Sequence, residues 1–427
     1  MQLLGLFAAF VLIMVLVARR VGLEVSLLAG TAVLALTSGM PPAALAASAC
    51  RGLLDPHTFQ LVLSVGVITS LAGVMKSYGL LHRMVDAVTR LLGGLHLALM
   101  AVPSLVGALP VLGGAILSAP MVEGLGDRLG LSPLRKAAVN LVFRHAWFLM
   151  APFTPALVLA AQLAKVDLGG LILRQTPLVL VMLTAGYLAL LTRTTREPAV
   201  AQGAFDSADG AEVSGETAAT AAAAPGEAFR EFFVSASPLV VSVVLCLGVG
   251  PVRLPLWASV GVGLVLALFL SRGHRDFTGL GLPAAWAGIQ WRILLAMAAV
   301  MVFGRMMTDS GAAEALVTWM VDSGLPSWLL MVVMPFTVGF VSGVPSLPVG
   351  ISFPALLPLA PPGHLLGSAA ILYTSGFIGY FVSPLHLCQI LSSQYFGVTV
   401  ASLYREYLPV IAAVAACLAV RIWVVLG

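Results

Sequence analysis

Apolar runs long enough to cross a lipid bilayer recur from one end of this chain to the other. A span needs about 20 mostly apolar residues, and such windows fill the sequence from residue 3 to residue 425. Of the 427 residues, 60% are hydrophobic and 9% charged, with a mean hydropathy of +1.04. A soluble domain carries roughly 25% charged residues. In lipid the backbone must satisfy its own hydrogen bonds, so only helices and closed barrels span. The short alternating segments of a barrel are absent. The chain therefore reads as an all-α polytopic membrane protein.

Spans fall at 3–19, 22–40 and 58–76, and 77–92 is an amphipathic stretch suited to the interface. Segments 95–109 and 114–128 flank LPVLGG, a break with a proline and two glycines. A long segment, 133–165, is interrupted at APFTP (151–155), and a span at 169–192 follows. Residues 193–229 are rich in Ala, Gly, Thr and acidic residues. They cannot bury a core and read as a flexible linker between an N-terminal repeat, 1–192, and a C-terminal repeat, 230–427. The second half has spans at 230–250, 255–271 and 288–308 and an amphipathic stretch at 311–322. Segments 326–342 and 349–360 flank GVPSLPVG. Segment 363–394 is interrupted at VSP (382–384), and a last span covers 401–425.

The helix-breaking points of the halves match in order. Ser77-Tyr78-Gly79 falls on Asp309-Ser310-Gly311, Ser118-Ala119-Pro120 on Ser352-Phe353-Pro354, Thr154-Pro155 on Ser383-Pro384, and Pro177 on Pro409. The separations are all about 229 to 234 residues, the mark of an internal repeat. If each tip pair is a re-entrant hairpin, each repeat has about five transmembrane helices, one hairpin and one discontinuous helix. The odd crossing number gives the repeats inverted topology. With both termini outside and the linker cytoplasmic, fifteen Lys and Arg lie inside and five outside, a positive-inside bias. The apolar start has no cleavage signature and reads as a retained span in a plasma (inner) membrane.

Broken helices at membrane depth are tolerated where they are buried in protein or line a wet cavity. Their free N–H ends attract anions and their carbonyl ends cations. The expected solute contacts are therefore Pro110, Gly113 and Gly114 at the first tip and Ser346 and Gly350 at the second. Ser118, Ser352, Thr154, Ser375 and Ser383 add neutral oxygens around the breaks. Arg144, in NLVFRHAW, lies deep in the first interrupted segment, where a charge costs about 3 kcal/mol and demands a partner. That partner is an anionic solute, a carbonyl or Glu123, and Asn140 lies one turn away on the same face. His145 and His386 are the candidates for proton handling. Arg305 and Asp309, four apart, pair with each other. The four cysteines show no metal or redox spacing and read as packing, so no metal site is expected. No nucleic-acid partner is expected either, since the basic residues follow topology. No enzyme motif and no nucleotide-binding loop is present, so neither an enzyme nor an ATP-driven pump is expected.

The stretches LPVLGGAILSAP, NLVFRHAW with APFTP, GVPSLPVGISFP and SGFIGYFVSPLHLCQILSSQYFGV resemble the domain-of-unknown-function 401 family of prokaryotic integral membrane proteins. That family is similar to the ion-transporter superfamily of dicarboxylate, citrate, gluconate and arsenite permeases. The resemblance implies inverted repeats, an elevator motion of a transport part against a scaffold, and a homodimer. The amphipathic stretches would then be connecting arms. The hairpin tips depart from the Ser-Asn-Thr pattern of sodium–dicarboxylate members.

The expected function is secondary transport of a small anionic solute such as an organic acid. It would be coupled to H⁺ or Na⁺, with no other cofactor. The alternatives are a cation/proton antiporter and, further off, a membrane scaffold or an intramembrane enzyme.

Overall fold

The computed structural model describes residues 2–19, 21–111, 114–192, 225–248, 254–324 and 326–426. Gly113 and the linker up to residue 224 lie outside the described residues. The first half holds α1 (Gln2–Ala18), α2 (Leu23–Thr37), α3 (Pro42–Leu54), α4 (Pro56–Ser77), α5 (Leu80–Leu91), α6 (Leu95–Gly107), α7 (Gly114–Arg128), α8 (Pro133–Ala146), α9 (Pro155–Ala164) and α10 (Leu168–Gly186). The second holds α11 (Pro225–Leu247), α12 (Leu256–Leu270), α13 (Leu282–Gly288), α14 (Trp291–Asp309), α15 (Ala312–Asp322), α16 (Ser327–Ser342), α17 (Ser346–Leu356), α18 (Leu365–Phe381), α19 (Leu387–Tyr395) and α20 (Val400–Leu426). No strand occurs among the described residues. Five stretches, Pro56–Ser77, Leu168–Leu191, Gly226–Leu247, Trp291–Asp309 and Val400–Leu426, are long and apolar enough to cross a membrane. The fold is that of a polytopic helical membrane protein.

Local chemistry sets the element ends. Asp55 accepts from the His57 amide at 2.8 Å and Asp167 from the Gly170 amide at 2.8 Å, capping α4 and α10. Pro56, Pro133 and Pro155 occupy the first helical position, where a missing N–H costs nothing. α8 tightens into a 3₁₀ turn at Trp147–Leu149 before α9 restarts at Pro155. α18 stops at Phe381, ahead of Pro384, and α19 restarts at Leu387. Two helices fall in stretches the sequence reading left unassigned, α3 and α13. Both are shorter than a span. α13 meets α4 at a backbone contact where a methyl group on Gly73 would stand 2.3 Å from the Gly288 Cα.

Packing in one half is echoed in the other. α1 packs on α2 as α11 packs on α12, and α3 packs on α14 as α13 packs on α4. α6 lies on α7 and α8, and α16 on α17 and α18. Across the halves, α9 packs on α17 as α19 packs on α7, and α10 on α18 as α20 on α8. The hairpin and broken-helix elements thus interleave into one body, with α8 and α18 buried along nearly their whole length. Glycines make this possible. A methyl on Gly107 of α6 would stand 2.1 Å from the Arg144 carbonyl oxygen of α8. One on Gly379 of α18 would stand 2.0 Å from that of Phe336 in α16.

Candidate functional site

Both tips and both helix breaks open on one cavity of about 370 Å³. The first tip supplies Leu109, Pro110 and Val111, and the second Gly343 to Ser346. The first broken helix supplies Arg144, Phe148 and Thr154, and the second Tyr380, His386 and Cys388. The starts of α2 and α14 close the wall with Glu24, Gln290 and Arg292. Besides α2 and α14, three helices of the tips and breaks begin at the cavity: α9 after Thr154, α17 after Pro345 and α19 after His386. A fourth, α7, begins at Gly114, where a methyl would stand 2.2 Å from Nη1 of Arg144. Each helix start carries about half a positive charge. Gln290 Nε2 donates to the Pro110 carbonyl at 2.6 Å and holds the first tip against α14.

The cavity's charges do not balance. Glu24 and Arg292 face each other at 3.6 Å. Arg144 is 3% exposed, and its Nε and Nη1 have no hydrogen-bond partner among the described residues. Glu123, one partner expected from sequence, instead accepts from the Tyr395 hydroxyl at 2.7 Å. A buried guanidinium beside a like-signed helix start and without a carboxylate costs several kcal/mol. An anion in the cavity would relieve it.

Beside it lies a ring cluster. His145 Nε2 is 3.0 Å from His386 Nε2 and 3.2 Å from the Tyr380 hydroxyl. The Cys388 thiol belongs to the same group, its sulfur within 4.8 Å of one ring nitrogen of each histidine. This cluster is absent from the sequence expectations, because its members come from two helices more than 230 residues apart.

Of the residues expected from sequence, Pro110, Arg144, Thr154, Ser346 and His386 line the cavity, and Gly114 abuts the guanidinium. His145 joins through His386. The others, apart from Gly113 outside the described residues, sit in the packing around it. Asn140 donates to the Ala115 carbonyl at 2.9 Å and to Ser392 Oγ at 3.1 Å, and accepts from Ser118 Oγ at 2.6 Å. Ser375 bonds back to the Ile371 carbonyl at 2.9 Å, and Ser383 donates to the Phe340 carbonyl at 2.6 Å. A methyl on Gly350 would meet Val300 at 2.6 Å. Ser352 is buried with its hydroxyl unpartnered among the described residues. Arg305 pairs with Asp309 at 3.0 Å, as its spacing predicts, and Arg51 joins the same carboxylate at 3.0 Å. Glu24, Gln290, Arg292, Tyr380 and Cys388 complete the site and carry no local sequence signal that marks them.

The crystal structure of the YdaH transporter of Alcanivorax borkumensis, described as having an unusual topology, is similar to this fold with a TM-score of 0.55. The match covers 89% of this chain and 87% of that one at 15% identity, a likeness of fold. No curated protein matches the sequence. The sequence does match one family over residues 1–208 and 285–427, most of its length and all the elements around the cavity, and the chain belongs to that family, described as protein of unknown function (DUF401).

Proposed function

We propose that this chain is a secondary transporter, a permease for a small anionic solute such as an organic acid. The fold shared with the YdaH transporter supports transport. One observation carries the sign of the solute: Arg144, almost fully buried and with no carboxylate partner among the described residues, faces a cavity at which three helices of the tips and breaks begin, and a fourth begins against the guanidinium itself. Fixed donors at helix starts recognise carboxylate or phosphate oxygens without reorganising. The antiporter reading needs an ionisable cation ligand. The carboxylate lining the cavity belongs to Glu24, which already faces Arg292.

In this reading α6–α10 and α16–α20 form the transport part, α1–α4 and α11–α14 the scaffold, and α5 and α15 the arms between them. The echoed packing of the two halves supports two repeats of inverted topology. The ion-transporter superfamily is the reading suggested by the resemblance of the tip and break stretches. Both termini face outward from the inner membrane, the linker is cytoplasmic, and the working unit is a homodimer. H⁺ or Na⁺ would provide the coupling, with His145 and His386 as the groups that would handle the proton.

Thermal unfolding of the purified protein against a panel of small organic acids, with and without Na⁺ and at two pH values, tests this. A ligand at 100 times its Kd adds about 2.7 kcal/mol of stability. An acid whose stabilisation disappears in Arg144→Gln is the expected result. Stabilisation by Na⁺ or pH alone, with no acid effective, would overturn the anion reading in favour of the antiporter.

A further inference from the structure

We infer that His145, His386 and Cys388 form a binding site for a zinc-class divalent transition-metal ion, opening on the cavity beside Arg144. The inference goes beyond the anion reading and rests on different atoms.

His145 Nδ1 is 2.7 Å from the Leu141 carbonyl oxygen, and His386 Nδ1 is 3.2 Å from that of Phe381. A carbonyl only accepts, so in each neutral ring Nδ1 carries the proton and Nε2 a bare lone pair. Those lone pairs face each other at 3.0 Å in a buried place. Two acceptors at that distance repel unless something positive lies between them. The Tyr380 hydroxyl, 3.2 Å from His145 Nε2, can donate to that ring. The His386 Nε2 then still has no donor among the described residues.

A ring fixed by an Nδ1–H bond to a backbone carbonyl, with Nε2 free, is how proteins orient imidazole toward a metal. The third donor is in place, for the Cys388 sulfur and one ring nitrogen of each histidine lie within 4.8 Å of one another. Zinc–nitrogen bonds of about 2.0–2.1 Å and a zinc–sulfur bond of about 2.3 Å put tetrahedral ligand atoms about 3.3–3.6 Å apart. The rings need to open by only a few tenths of an ångström, and the thiol to swing inward about its Cα–Cβ bond. Two imidazoles and a thiolate suit zinc-class ions, and three protein ligands leave a fourth position open. That position faces the cavity, since His386 and Cys388 both line it. The nearby guanidinium opposes a cation. The thiolate formed as the ion displaces the thiol proton offsets one positive charge. A proton shared between the rings would bridge the lone pairs as well, but it assigns nothing to the thiol that completes the donor set.

Titrating the full-length purified protein with Co²⁺ tests the site. Bound cobalt should show a sulfur-to-metal charge-transfer band and the intense visible bands of tetrahedral coordination, both removed by Zn²⁺. Cys388→Ser should abolish the charge-transfer band, and His386→Gln should weaken binding roughly tenfold or more. A variant with Cys50, Cys246 and Cys417 all changed to Ser should keep the band, which controls for folding and for adventitious thiols. Arg144→Gln should also keep it while losing organic-acid stabilisation, so the two readings fail separately. Absence of the band in the unmodified chain, its survival in Cys388→Ser, or its loss in the triple variant would overturn the site.

Discussion

The two broken helices are matched in backbone and unlike in chemistry. Each stops at mid-length, turns through a few residues that include a proline, and restarts at the same cavity. The first carries a fixed charge, Arg144, against the opposite hairpin arm α7. The second carries no charge there. Tyr380 and His386 stand instead, a hydroxyl and an imidazole grouped with His145. Matched backbone breaks supply the frame, and a few side chains differ between them. On the proposed reading one wall would bind the anion, and the other would meet whatever is bound or exchanged with it.

The sharpest way to break this comparison is to remove the charge. Arg144→Gln keeps most of the side-chain volume and deletes the one unpaired cation of the cavity among the described residues. Loss of a charged hydrogen-bonding partner costs about 3 kcal/mol, or about a 100-fold rise in the Kd of the organic acid by calorimetry. The melting temperature of the free protein should hold or rise, because the variant also removes an uncompensated buried charge. A variant that binds the acid normally would move the anion site off the first broken helix.

The two tips respond differently to the same added methyl group. At Gly343 the backbone has φ +62°, and a methyl would stand 2.7 Å from the Leu385 carbonyl carbon. Neither strain can be relieved by a side chain, so Gly343→Ala should destabilise the fold by about 1–3 kcal/mol. At Gly114 the methyl meets the far end of Arg144, 2.2 Å away at Nη1, which can swing aside. Gly114→Ala should leave melting nearly unchanged and weaken acid binding about tenfold, about 1.4 kcal/mol. Equal effects of the two variants on melting would show that the guanidinium is locked in place rather than free to move.

A smaller effect separates the cavity from its supports. Asn140 lies on the same helix as Arg144 but bonds Ala115, Ser118 and Ser392, joining α8 to α7 and α19. Asn140→Leu leaves those buried groups short of partners and should cost about 2 kcal/mol in denaturant melts. Acid binding should be unchanged. A selective loss of binding would return Asn140 to the solute contacts that its helical face predicts.

Much of this architecture was legible because a bilayer punishes irregularity. A proline or glycine pair inside an apolar run has few permitted explanations, so LPVLGG, APFTP, GVPSLPVG and VSP located both tips and both breaks. The membrane-crossing runs were readable for the same reason. α3 and α13 were not: they are shorter than a span, and their place is set by α14 and α4, far away in sequence. The site divides along the same line. Arg144 stood out as a charge in an apolar run, and the prolines beside Thr154 and Ser346 marked the turns. Cys388, Tyr380, Gln290 and Glu24 are ordinary residues locally and gain meaning only when distant helices meet. Asn140, Ser375 and Ser383 show the reverse case: each hydrogen-bonds within the packing, since polar groups near a break also serve to satisfy backbone carbonyls.

The smallest predicted effect concerns the boundary between the two bodies. Gln290, at the start of α14, donates to the Pro110 carbonyl of the first tip. If the hairpin body moves against the scaffold, this bond exists in one state and breaks in the other. A net hydrogen bond is worth about 1 kcal/mol, so Gln290→Leu should shift the balance of the two states about fivefold away from this one. A cysteine placed at Ser346, on the cavity wall, reports the shift through its labelling rate with a membrane-impermeant thiol reagent. Opposite changes in labelling from the two sides of reconstituted vesicles are expected. Unchanged labelling from both sides would mean that α14 and the first tip move together, and that the boundary between scaffold and transport part lies elsewhere.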